Sequence, residues 1–230
     1  MSVSKRVLNV QSVLASVLRF MGQSTWAKRQ GEAGAADFVF GNPHEMPLTG
    51  FVNALQRAVV PQDENWFAYK MSEHDSRKRV AESLRQWRSI PFESNDILMT
   101  NGAFSGLSVC LGALVDPGDE VIFISPPWFF YEALITAVGG IPVRVRIQPD
   151  TFDLDLNAIE KAITDKTRAI IINSPNNPTG KIYPESTLKA LAALLQEASE
   201  QHGHPIYLLS DEAYSRIIFD GRSYPSTQST

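Results

Sequence analysis

Five short runs of aliphatic and β-branched residues constrain this chain more than anything else in it: ILMT (97–100), EVIFI (120–124), IPVRVRI (141–147), TRAIIIN (167–173) and PIYLLS (205–210). Apolar residues crowd successive positions in these runs instead of alternating with polar ones, as strands covered on both faces require. Between them lie segments of helix length, AFSGLSVCLGALV, PWFFYEALITAV, LDLNAIEKAI and PESTLKALAALLQEASEQ, punctuated by the turn signals PGDE and GG. Strand and helix alternating in this way predict an α/β fold, a mostly parallel sheet of five strands with helices on both faces.

Ahead of the first run the texture differs. Val7, Val10, Val13, Leu14, Val17 and Leu18 follow helical spacing, with Asn9, Gln11, Ser12 and Ser16 elsewhere, so an amphipathic N-terminal helix is expected. A loop-rich segment containing GNPHEMP (41–47) follows, then helical patterns near 48–60 and 73–88. Residues 1–90 read as a separate, smaller layer. Lys5, Arg6, Arg19, Lys28 and Arg29 precede the first acid, Glu32, a composition also found in organelle transit peptides.

Composition narrows the function classes. With 230 residues, 43% of them hydrophobic, the chain can bury one sizeable core. Its 21 Lys and Arg against 25 Asp and Glu leave no broad basic field, which argues against a nucleic-acid partner. No apolar run approaches the roughly 18 residues of a membrane span. The single cysteine, Cys110, rules out an internal disulfide, fits a reducing cytoplasmic setting and, within LSVCLGALV, is expected to be a small buried hydrophobe. No G-x-G-x-x-G follows a strand, and Gly180 and Lys181 are followed by Ile182, which breaks a phosphate-loop match. His202 and His204, in HGH, have no HExxH or cysteine cluster to make a zinc site, and no histidine has a hydrolase context.

Ligands of open α/β sheets gather beyond the carboxyl ends of the strands, so chemistry is sought there. In TNGAF, the amides around Gly102, Ala103 and Phe104 open a helix whose positive end favours an anion such as phosphate. Trp128 begins the next helix among Phe129, Phe130 and Tyr131 and offers a flat face to a heteroaromatic ring, although such clusters also build cores. NSPNNPTG is a rigid loop in which prolines fix φ, Gly180 permits a turn and Asn177 can aim an amide into a cleft. Asp211, in SDEAY at the mouth of the last strand, is either a local cap or a carboxylate awaiting a positive partner, with Tyr214 on the same side if a helical turn follows. A phosphate anchor, a stacking ring, an amide, a carboxylate and a phenol together describe a site for a phosphorylated, protonated aromatic heterocycle.

GNP, TNGAF, PPWFFY, NSPNNPTG and SDEAY, in this order and spacing, resemble the class I/II aminotransferases, pyridoxal-phosphate enzymes of fold type I, from about residue 40 onward. The resemblance implies pyridoxal 5'-phosphate as cofactor, amino acid and 2-oxo acid substrates, and a homodimer. It places residues 1–46 in an N-terminal helix and loop segment of the small domain and 47–230 in an incomplete cofactor-binding large domain. Gly102, Ala103 and Phe104 would lie in the phosphate loop, and Trp128 would stack on the pyridine ring. Asn177 and Tyr214 would meet its phenolic oxygen, and Asp211 its ring nitrogen; Asp211 and Tyr214 are the residues expected in catalysis. Gly41 and Asn177 would face substrate, with Asn42 and Pro43 in the same loop as Gly41. Tyr69, in WFAYKMSEHDSRKR, resembles a tyrosine that reaches the phosphate of the neighbouring subunit. Here Ser76 and Arg77 stand where the family has Leu-Arg, and a core tyrosine is the alternative.

The Schiff-base lysine of the family follows its DEAY motif in an SxSK context that no lysine of this chain has, and two of the family's seven strands would belong between the phosphate-loop strand and the aspartate strand. The expectation is therefore an aminotransferase sequence cut short, inactive alone and weak in cofactor binding. Such a chain is expected to be unstable, or to dock residues 97–100 abnormally. A non-catalytic relic or interaction module, and another fold type I enzyme such as a lyase or decarboxylase, are the alternatives.

Overall fold

A computed structural model describes residues 3–41, 45–225 and 227, so Asn42 and Pro43 lie outside the described residues. Among the described residues eight α-helices occur in chain order: α1 (Lys5–Gln23), α2 (Thr25–Lys28), α3 (Thr49–Ala58), α4 (His74–Arg88), α5 (Gly102–Leu114), α6 (Tyr131–Val138), α7 (Leu156–Ala162) and α8 (Glu185–His202). Four strands, β1 (Glu120–Ser125), β2 (Ile141–Arg146), β3 (Thr167–Asn173) and β4 (Tyr207–Asp211), form one parallel sheet in the order β2-β1-β3-β4.

The two-residue period of the strands divides the core. Val121 and Phe123 of β1 and Ala169 and Ile171 of β3 turn to one face, where Leu107 and Leu111 of α5 and Tyr131, Leu134 and Ile135 of α6 cover them. Ile122, Ile124, Ile170 and Ile172 turn to the other, under Ile159 of α7 and Leu188, Leu191 and Leu195 of α8. The leucines of α8 recur at three- and four-residue intervals, which puts them on one side of the helix. Ser125, Asn173 and Asp211, at the carboxyl ends of their strands, emerge at the same rim of the sheet.

Residues 97–100 correct the expectation of a fifth strand. They follow a 3-10 turn at Ser94–Asp96 and lie off the sheet, with Leu98 and Met99 exposed. Apolar, β-branched sequence makes a strand only beside a hydrogen-bonding neighbour, and none flanks this segment among the described residues. The helix carrying Trp128 also starts later than expected. Trp128 to Phe130 form a turn, and the Tyr131 amide donates to the Trp128 carbonyl at 3.2 Å as the helix opens.

Cys110 is exposed, against the expectation of a buried hydrophobe. Helix α5 is apolar on every side but packs on one, through Leu107 and Leu111, so its outer residues remain open to solvent. The amphipathic N-terminal helix forms as α1 and lies against α6, with Val10, Val13, Leu14 and Val17 half-buried and Val7 and Leu18 exposed. At the other end of the chain, Gly203 closes α8 in a left-handed conformation. The His204 ring there meets Arg168 and the Asp165 carbonyl. Among the described residues no group of three metal-ligating side chains occurs, and no helix is long and apolar enough to cross a membrane.

Candidate functional site

Strand direction alone brings the polar residues of the rim together. Asn173 and Asp211 are register partners on β3 and β4. Each lies two residues beyond a side chain that packs toward α5 and α6, Ile171 and Leu209, so both face that layer. Above them opens a cleft of about 140 Å³ lined by Ala103 and Phe104 of α5, Trp128, Asn177, Asp211 and Tyr214, with Leu107, Asn173 and Ala213 at its base. Six residues singled out from the sequence, from three strand ends and the start of α5, thus share one cavity.

The α5 wall is built for a negative group. Gly102 opens the helix at φ +77°, a conformation that side chains resist, and no side chain caps the helix start, so its first amides are left without side-chain acceptors. Gly102 itself is not among the cleft-lining residues but sets the direction of those that are. Opposite, Trp128 packs edge-on against Phe104 (5.7 Å between centroids), Phe130 (5.1 Å) and Tyr131 (5.5 Å), which fixes the plane of the indole while it stays half-exposed toward the cleft.

Buried Asn173 is the hinge pin of the polar wall. Its Nδ2 donates to the Asp211 carbonyl at 2.8 Å and its Oδ1 accepts from the Asn177 amide at 2.6 Å, tying the loop after β3 to the end of β4. Farther along the loop, Asn176 Oδ1 accepts from the Thr179 amide and hydroxyl, and Gly180 turns the chain at φ +70°. Asn177 Nδ2 then donates to Tyr214 Oη at 2.9 Å, so amide and phenol stand side by side. Tyr214 reaches this position because the chain after β4 makes a turn closed by Ser215 N to Glu212 O and Ile217 N to Tyr214 O.

Asp211 accepts two neutral donors: the Tyr131 hydroxyl at Oδ2, 2.6 Å away, and the Ala213 amide at Oδ1, 3.2 Å away. It has no ion pair among the described residues. Glu212, the next residue, turns away and pairs with Arg88 of α4, whose guanidinium also lies over Trp87 at 4.5 Å and Tyr224 at 5.4 Å. Burial, and then the Asp211 charge, push the Tyr131 phenol far above its ordinary range, so its proton stays on the hydroxyl.

Asn173 and Tyr131 are the contributors that sequence reasoning missed. Asn173 carried one signal, an amide directly after the apolar run 169–172, where burial demands hydrogen-bond partners. Tyr131 carried none, since 80 residues separate it from the acid it meets.

Beyond Asn177 and Tyr214 the cleft continues into a larger opening of about 600 Å³, where Gly41 and Asn177 both lie, along with Phe38, Ile217 and Arg222. Tyr69 is fully exposed and lines neither cleft, which removes the core alternative for it. No lysine lines either cleft among the described residues. The donor set fits a phosphorylated heteroaromatic cation: uncapped helix amides for the phosphate, an indole face for the ring, a paired amide and phenol for a ring oxygen, and a carboxylate with no ion-pair partner among the described residues.

The sequence matches the family described as aminotransferase class I and II over residues 37–230. A probable aspartate/prephenate aminotransferase of Thermus aquaticus is 35% identical over 174 residues, 75% of this chain and 44% of that protein, and one of Aquifex aeolicus is 34% identical over 66% of this chain and 38% of its own length. Among solved structures, an aminotransferase from Eubacterium rectale superimposes with a TM-score of 0.82 at 30% identity, covering 100% of this chain and 59% of that one. The aspartate aminotransferase of Thermus thermophilus with maleate gives 0.74 at 30% identity, covering 98% and 56%. The chain spans less than half the length of the curated relatives it matches.

Proposed function

The chain belongs to the class I and II aminotransferase family, and on that premise we propose that it supplies the cofactor-binding cleft of a pyridoxal 5'-phosphate-dependent enzyme moving an amino group between an amino acid and a 2-oxo acid. The observation that carries the reading is the Asp211 carboxylate, held at the rim by neutral donors only and facing the Trp128 wall.

When bound, the cofactor supplies an electron sink for the pair left behind as the substrate α-proton departs. The chain's own residues prepare that chemistry. Asp211 favours a proton on the ring nitrogen, by roughly 1 to 3 pK units for a carboxylate in contact. The amides of Ala103 and Phe104 would hold the phosphate at the opening of α5. Trp128 would cover one ring face and exclude water from it, and Asn177 with Tyr214 would hold the phenolic oxygen. Gly41 and Asn177, which share the larger opening, would meet the substrate there. A homodimer belongs to the same proposal: exposed Tyr69 is free to reach a neighbouring subunit's phosphate, and Phe51 and Leu55 of α3 present an apolar surface. So do a cytoplasmic setting and the division at residues 46 and 47. Turnover by this chain alone is not expected, because no lysine lines the cleft among the described residues.

An absorbance and tryptophan-fluorescence titration with pyridoxal 5'-phosphate tests the reading. The chain should bind saturably, and Asp211→Asn should weaken binding by roughly tenfold or more, the loss of one buried charge contact. Equal affinity in the two proteins would overturn the assignment.

A further inference from the structure

We propose that Tyr131 is a positioning residue for Asp211: its hydroxyl fixes the rotation of the carboxylate, so that the oxygen lone pairs not engaged by protein donors face the cleft. The inference rests on the cofactor reading above and extends it to a residue outside the cleft lining.

The geometry leaves little freedom. Tyr131 is only 2% exposed, its ring is locked among the side chains of the α5 and α6 layer, and its hydroxyl lies 2.6 Å from Oδ2. The Ala213 amide holds Oδ1 from a different element, and Asn173 holds the Asp211 carbonyl. A carboxylate gripped at both oxygens and at its own backbone cannot swing toward solvent.

The choice of partner matters as much as the grip. Glu212 meets a guanidinium, which cancels its charge locally. A phenol orients Asp211 without forming an ion pair with it. The other titratable groups around the phenol are Tyr214 and Tyr183, both without a positive charge to offer. Burial and the neighbouring acid raise the phenol well above its ordinary range and keep its proton on the hydroxyl, so the hydrogen bond is donated toward Asp211. A carboxylate held in one rotation would meet the N–H of a bound ring in line, which would keep that proton in place to higher pH.

Pyridoxamine 5'-phosphate labelled with nitrogen-15 in the ring is the probe, since it needs no lysine for binding. Affinity is read from tryptophan fluorescence, and the ring protonation from the nitrogen-15 shift against pH. The proteins are the unaltered chain, Tyr131→Phe, Asp211→Asn, the double variant, and Leu134→Ala, which loosens the same packing while keeping the hydroxyl. Tyr131→Phe should bind roughly tenfold more weakly and lose the ring proton at a pH lower by about half to one unit. In the Asp211→Asn background the same change should add less than about twofold, and Leu134→Ala should leave the ring titration where it is. An unmoved titration in Tyr131→Phe, equal losses in both backgrounds, or an equal shift in Leu134→Ala would overturn the proposal. If the unaltered chain fails to bind, or binds no better than Asp211→Asn, the cofactor reading falls with it. Asp211-dependent binding with an unaffected Tyr131→Phe variant sinks this inference alone.

Discussion

At the scale of single residues, Asp211 and Glu212 sit side by side in sequence in opposite surroundings, and the difference is set by which way a strand end points. Burial raises the phenols of Tyr131, Tyr183 and Tyr224 well above the ordinary 10.0, with nearby acids adding to it. Below pH 10 each is protonated in the folded and unfolded chain alike, so these groups add no pH dependence there. Above pH 10 the unfolded chain releases protons that the folded one keeps, so stability should fall as pH rises from about 10 toward 12. Urea midpoints across that range check it. Tyr183→Phe should flatten part of the decline at little cost near neutrality, since Tyr183 Oη is buried without a hydrogen-bond partner among the described residues. At this scale the sequence could name Asp211, Trp128, Asn177 and Tyr214 because each stands at a strand end. It could not name Tyr131, whose role depends on a contact across 80 residues.

At the scale of elements, apolar runs and helical spacing were legible because burial on two faces leaves a dense pattern that little else produces. Strands β1 to β4 fall where the runs are, and α3 and α4 lie within the patterns near 48–60 and 73–88. Residues 97–100 were misread, since pairing depends on a neighbour that no local pattern encodes. So was the exposure of Cys110, because a helix apolar on all sides does not say which side the sheet takes. Helix α5 also depends on one left-handed residue. Gly102→Ala at φ +77° should cost about 1 kcal/mol of stability and weaken phosphate-dependent binding of pyridoxamine 5'-phosphate several-fold by turning the first amides aside. Pyridoxamine without the phosphate serves as the control and should show no such difference. An equal loss for both ligands would assign the effect to folding instead of to the anion site.

At the scale of the whole molecule, three layers place helices α5 and α6 on one face of the sheet and α7 and α8 on the other, with α1 against the outside of α6. The layered arrangement was readable from strand and helix alternation; the seating of α1 was not, since amphipathic spacing gives a helix its apolar side without saying which surface receives it. The cleft draws its walls from Ala103 at one end of the α/β region and from Tyr214 at the other. A guest held there fastens distant stretches of chain at once, and none of them can come loose without letting it go. Occupancy should therefore act as a keystone: at a hundred times its dissociation constant, pyridoxamine 5'-phosphate should add about 2.7 kcal/mol to the unfolding free energy and raise the melting temperature in one cooperative step. Calorimetry that instead found a local transition shifting while the rest melted unchanged would mean that the two walls come apart independently.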